Sequence, residues 1–128
     1  MIDPLDPRST QHLLPGAPPP SYSTDPPTSG PHASSGTVTG LQPLPIDEPV
    51  QVAVLEEGGI VVQYRSDLPA GPRESLASVA EEVVVVAPNP SLPEPVVVTA
   101  WRHRLVCRSV DLAVLKAFIS ERKGKGPG

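Results

Sequence analysis

Val50-Gln51-Val52-Ala53-Val54-Leu55-Glu56-Glu57-Gly58-Gly59-Ile60-Val61-Val62-Gln63-Tyr64-Arg65 is the stretch on which the fold turns. Residues 50–55 alternate and then run apolar, the pattern of a half-buried strand, and residues 60–65 read as a second strand. Between them lie an acidic pair and a glycine pair, four residues that suit a hairpin loop. The stretch therefore predicts an antiparallel strand pair.

Downstream, Leu68-Pro69-Ala70-Gly71-Pro72 turns the chain, and Pro72 is placed to be the first residue of a helix. Leu76, Val79 and Ala80 fall on one face of that helix, with Glu81 and Glu82 outside it. The four valines 83–86 form a short β-branched run, as in a fully buried strand. Residues 96–101 predict another strand, and residues 104–107 continue or pair with it. Asp111 is a candidate cap for a last helix over residues 111–122, whose apolar face carries Leu112, Leu115, Phe118 and Ile119. Gly124 ends it. The order predicts a small two-layer α+β domain: a mostly antiparallel sheet of about five strands with two helices on one face. The connection from the second strand through the first helix to the valine strand fits a parallel crossover.

Upstream the chain changes character. The 128 residues hold 19 prolines, and twelve of these precede Val50. A mixture of Pro, Ser, Thr and Gly such as residues 1–49 buries too little apolar surface on its own to offset the entropy of ordering it. Residues 50–122 are dominated by Val, Leu, Ala and Ile, but a core of that length is small and marginal alone. The expected organisation is a Pro-rich flexible arm over 1–24, one domain over 25–123, and a flexible tail over 124–128. Within the domain, 25–49 would wrap an α+β core of 50–123. Pro19-Pro20-Ser21-Tyr22 matches a proline-rich ligand pattern, although four-residue patterns recur freely in such segments. Tyr22 is better read as an anchor of the arm on the domain.

Net charge is −4 with only four aromatic residues, so the basic, ring-bearing surface that nucleic-acid binding needs is lacking. Arg102, His103, Arg104 and Arg108 read as a solvated strand face, with His103 exposed. Arg122, Lys123 and Lys125 read as cations complementing a helix C-terminus. No apolar run reaches membrane-spanning length, and no leader pattern opens the chain, so it is read as soluble. The single cysteine, Cys107, lies in an apolar strand and reads as a small buried hydrophobe. The sharper reading is a nucleophile activated by Arg108 and His103.

Several ordered pieces together resemble one family. They are Gln11-His12 with Pro15-Gly16, Pro26-Pro27-Thr28-Ser29-Gly30-Pro31-His32, Leu55-Glu56 with Gly58-Gly59, and Gln63-Tyr64-Arg65 with Leu68-Pro69. Further pieces are Val86-Ala87-Pro88-Asn89-Pro90, Pro95 to Trp101, and Ala117-Phe118-Ile119. The chain resembles the family called domain of unknown function 3105 from about His12 to Gly126. That family has no assigned reaction, is largely actinobacterial, and often carries a membrane-anchoring segment before the domain. The resemblance implies an extracytoplasmic location if this chain belongs to such an anchored protein. The location of the chain itself is otherwise open.

The family's second signature usually reads Val-His-x-Leu-Glu-His-Gly. His32 and Glu56 match the pattern, whereas Ala53 and Glu57 stand where histidines are expected. Three convergent histidines would suit zinc, copper or similar ions. With two nitrogens replaced, the site reads as degenerate, and His32 reads as a residue that fixes the proline arm locally. The resulting reading is an uncharacterised, non-catalytic accessory or binding domain with no cofactor. Its partner would be an unidentified protein, and it has no nucleic-acid partner and no membrane span. The alternative is a metal-binding protein or metal-dependent enzyme with a weakly held divalent ion on His32 with Glu56/Glu57, His12 being an optional further ligand.

Overall fold

The computed structural model describes residues 1–14, 18, 20–33 and 37–127. Its elements are β1 (His12–Leu13), β2 (His32–Ala33), α1 (Glu48–Glu56), β3 (Ile60–Tyr64), α2 (Ala70–Ala77), β4 (Val84–Pro88), β5 (Val96–Ala100), β6 (His103–Cys107) and α3 (Leu112–Arg122). The main sheet has the order β4-β3-β5-β6, while β1 and β2 pair separately. β3 runs parallel to β4, across the connection through α2, and β3–β5 and β5–β6 are antiparallel. The chain is thus a small α+β domain.

The decisive stretch departs from its strand reading. Residues 50–55 lie inside helix α1, so among the described residues the main sheet has four strands, not five, and there are three helices, not two. Pro49 sits in the first turn, where its missing N–H falls among donors that have no intrahelical partner. Gln51 to Leu55 are all buried, so α1 lacks the polar face that would have shown a helical period. Glu-Glu-Gly-Gly is a helix stop and not a hairpin loop. With Glu57 as the C-cap, Gly58 N–H donates to Leu55 O at 2.9 Å and Gly59 N–H donates to Val54 O at 2.9 Å. That crossed pair is a Schellman closure, and it needs a left-handed residue, here Gly58 at φ +86°.

The sheet is covered on both faces. Ile60, Val62, Val84, Val86, Val96, Val98 and Ala100 face a cluster with Leu76 of α2 and with Leu115 and Ile119 of α3. Val61 and Val85 face the other way, toward Val52, Val54 and Leu55 of α1 and toward Trp101. The two expected helices therefore share one face, and the unexpected one covers the opposite face. Double coverage explains the unbroken valine runs in β3 and β4. Each fully buried valine contributes on the order of 2 kcal/mol. Val83 is exposed and lies outside β4. α2 begins at Ala70, so Pro72 lies within its first turn. The Asp111 carboxylate accepts from Ala113 N–H at 3.1 Å and Val114 N–H at 3.3 Å, capping α3.

Two fully buried amides interrupt the apolar layer beneath α1. Asn89 Nδ2 donates to Gln63 Oε1 (2.9 Å), Gln63 Nε2 to Gln51 Oε1 (3.0 Å), and Gln51 Nε2 to Ile46 O (2.8 Å). This relay ties the end of β4 through β3 to α1 and the chain entering it. Each buried amide thereby has its partners.

Candidate functional site

The segment before α1 is held at one end of the sheet by paired polar groups. Pro26 to His32 are buried, although their composition reads as filler. Thr28 Oγ1 donates to Asp3 at 3.0 Å, and Asp6 N–H donates to Ser29 Oγ at 2.9 Å. Tyr22 OH donates to Pro31 O at 2.6 Å, and the Tyr22 ring packs on the α1-facing cluster, so it anchors this segment. Burial, more than any neighbouring charge, pushes the Tyr22 hydroxyl far above its ordinary range. The β5–β6 turn locks onto the same segment: Arg102 N–H donates to Thr28 O at 2.9 Å, and Asp3 N–H to Arg102 O at 2.7 Å. Arg104 pairs with buried Asp3 at 3.2 Å. The basic cluster on this hairpin is therefore partly a clasp for residues 1–6. Pro15, Gly16 and Pro19, named in the motifs above, lie outside the described residues.

The clasp brings three donor side chains together. β1 and β2 pair in parallel with His12 opposite His32, and the rings meet edge to face with centroids 4.5 Å apart. α1 packs on β2 and delivers Glu56 from its last residue. One ligand atom each of His12, His32 and Glu56 lies within 4.8 Å of the others. His12 is exposed, Glu56 half-buried and His32 almost wholly buried.

The tautomer of His32 follows from its contacts. Nδ1 lies 3.2 Å from Gly30 O, which only accepts, so Nδ1 carries the hydrogen. Nε2 is 3.1 Å from Glu56 Oε2, yet it has no hydrogen-bond partner of good geometry among the described residues. A buried imidazole thus presents an unpaired nitrogen beside a carboxylate and a second imidazole. An N–H fixed on a backbone carbonyl with the other nitrogen bare is how metal-ligating histidines are oriented.

Of the residues nominated from sequence, His32 and Glu56 meet. Glu57 is the exposed C-cap of α1 and is not one of the three. Ala53 is buried one turn earlier on α1. The link between His12 and His32 has no local signal, since a two-residue strand pairing across 20 residues leaves no periodicity to read. His103 is half-buried and not exposed as expected. Arg122 Nη1 lies 3.1 Å from its Nε2, and its Nδ1 lies 3.0 Å from Trp101 O. Cys107 is half-buried on the α2/α3 face, where burial and then Asp111 push the thiol up, which disfavours a thiolate.

His12, His32 and Glu56 line a cleft of about 780 Å³. Trp101, Arg102, His103 and Arg122 form another part of its wall, and residues 125–127 of the tail reach it. An α+β domain with a two-histidine, one-carboxylate cluster opening on a cleft is the class of protein defined here. The family described as Protein of unknown function (DUF3105) matches residues 18–128, and the chain belongs to that family. The match includes His32 and Glu56, while His12 precedes it. No curated protein and no solved structure matches the chain. Among the described residues, no helix is long and apolar enough to cross a membrane.

Proposed function

We propose that this chain is a non-catalytic, metal-binding accessory domain that holds a divalent transition ion, with zinc the reference case, between His12, His32 and Glu56. The observation that carries the reading is the buried, unpaired Nε2 of His32 facing the Glu56 carboxylate. Two imidazoles and one carboxylate are a donor set typical of zinc, and three protein ligands leave a position open. Tetrahedral zinc would draw ligand atoms to about 3.4 Å apart, given bonds of about 2.1 Å. Part of the cluster already lies inside that separation, and exposed His12 on its two-residue strand can close the rest. On this reading the site is altered but not lost: positions 53 and 57 supply no donor, and the segment over residues 1–24 supplies His12.

Equilibrium titration of chelator-stripped protein with zinc tests this. The expected result is one-to-one binding at micromolar zinc, abolished by His32→Ala and weakened at least tenfold by His12→Ala or Glu56→Gln. Glu57→Gln should bind as the parent does. A second reading rests on the His32 Nδ1 contact with Gly30: the imidazole only fixes the segment, and the metal motif is vestigial. Absence of stoichiometric binding in a folded parent chain would favour that reading over ours, and a His12→Ala variant that binds unchanged would refute the place given to His12.

A further inference from the structure

Apart from the donor cluster, the polar lining of the cleft is largely cationic. Arg102, Arg122 and Lys125 face it, and Glu56 is the one carboxylate among its described lining residues. Three formal positive charges thus look onto the cavity against the single negative charge of Glu56. Arg122 is held in place. A guanidinium only donates, so His103 Nε2 must accept from Arg122 Nη1 at 3.1 Å, and Nδ1 must donate to Trp101 O at 3.0 Å. His103, whose Nδ1 also lies 3.5 Å from Arg122 Nη1, is thus a positioning residue for Arg122. The nearest carboxylate to Arg122 is Glu121 at 3.6 Å, too long for a good hydrogen bond. The buried Nε of Arg122 has no acceptor among the described residues. That buried Nε does not open on the cleft, but the guanidinium so oriented can offer its Nη N–H groups to an oxyanion there.

The same cleft has an apolar side. Ile2 and Leu5, both largely exposed, line it together with Trp101. Its volume is that of a small-molecule site, and mostly apolar walls with a few convergent polar groups are the usual make-up of one. We propose that the cleft binds a small organic oxyanion, a carboxylate or a phosphate ester. The charged end would lie on Arg122 and Lys125, and an apolar body against Ile2, Leu5 and Trp101. The inference rests on the metal reading in one respect only: a bound ion with an open position would add a further contact for the oxyanion.

The test is titration of the full chain, zinc-free and zinc-loaded, with benzoate, with phenyl phosphate and with neutral benzamide, followed by two-dimensional NMR. One or both anions should give saturable shifts at the Trp101 indole, with benzamide at least tenfold weaker. Arg122→Gln and Lys125→Gln should each weaken the anion several-fold, and Arg122→Gln at least tenfold. Lys125 lies in the tail after α3, so its variant reports binding even if Arg122→Gln folds poorly. The stronger of benzoate and phenyl phosphate identifies the headgroup. No saturable shift with either anion, equal binding of benzamide, or indifference to both substitutions would overturn the proposal. Anion binding in a chain that takes up no zinc would uphold this inference and refute the metal reading. Zinc uptake without anion binding would do the reverse.

Discussion

Gly59→Ala tests the helix end that delivers Glu56 to the cleft. A methyl group at position 59 would sit 2.6 Å from Val54 Cγ1, 2.9 Å from Val54 O and 3.1 Å from Val83 O. The Val54 methyl can rotate, but neither carbonyl is free to retreat. Val54 O accepts from Gly59 N–H at 2.9 Å, and Val83 O accepts from Ile60 N–H at 2.8 Å. Forcing a methyl into a packed site costs about 1–3 kcal/mol. Alanine also narrows the unfolded ensemble, which returns about 0.4–1 kcal/mol. The net expectation is a loss of about 1–2 kcal/mol. With a urea dependence of about 2 kcal/mol per molar, the unfolding midpoint should fall by about 0.5–1 M. Trp101, the single tryptophan, packs in the cluster beneath α1, so its fluorescence follows the transition locally. A midpoint that stays put or rises would refute the packed, crossed-bond closure of α1.

The amide relay and the N-terminal clasp give two more expectations. Gln63→Leu strands the buried Gln51 carboxamide oxygen, which should cost about 1–3 kcal/mol, and removes the acceptor of half-buried Asn89. The double variant with Gln51→Leu should cost less than the sum of the single changes, as a double-mutant cycle in chemical denaturation would show. Asp6 is buried, and its side-chain hydrogen bonds from Arg8 hold its carboxyl below the ordinary value of 3.8, outweighing burial. A carboxyl lowered in the folded state stabilises fully above that ordinary value and loses the effect as pH falls through the folded one. Asp6→Asn should therefore lower the melting temperature at pH 7 and lose that penalty progressively at more acid pH. A penalty independent of pH would contradict it.

The parts of the fold visible in the sequence are those with an exposed side or a local cap. α3 could be placed because Asp111 caps it, Gly124 follows it, and Leu115 and Ile119 share its buried face while Ser120 and Glu121 stay in water. β5 and the valine strand are legible from β-branched runs beside prolines, and β6 from the short apolar stretch 105–107 that follows β5. α1 was not, because five consecutive buried residues erase the difference between a sheathed helix and a strand, and a glycine pair serves a hairpin or a helix stop equally. The site was half legible. His32 and Glu56 stood out through the family's pattern. Their meeting with His12 depends on a non-local pairing, and the alignment of Arg122 through His103 joins a helix to a strand with nothing in either segment to announce it.

The donors come from residue 12, residue 32 and the end of a helix at residue 56, and the cleft over them is completed by residues 101–103 and the tail after residue 124. A site drawn from such distant parts of the chain would link any ligand it held to global folding. A ligand held only by the native state adds about 2.7 kcal/mol of apparent stability at a hundred times its dissociation constant. A thermal-shift screen of metals and small anions therefore reads the site directly, without knowledge of what the domain does in its cell.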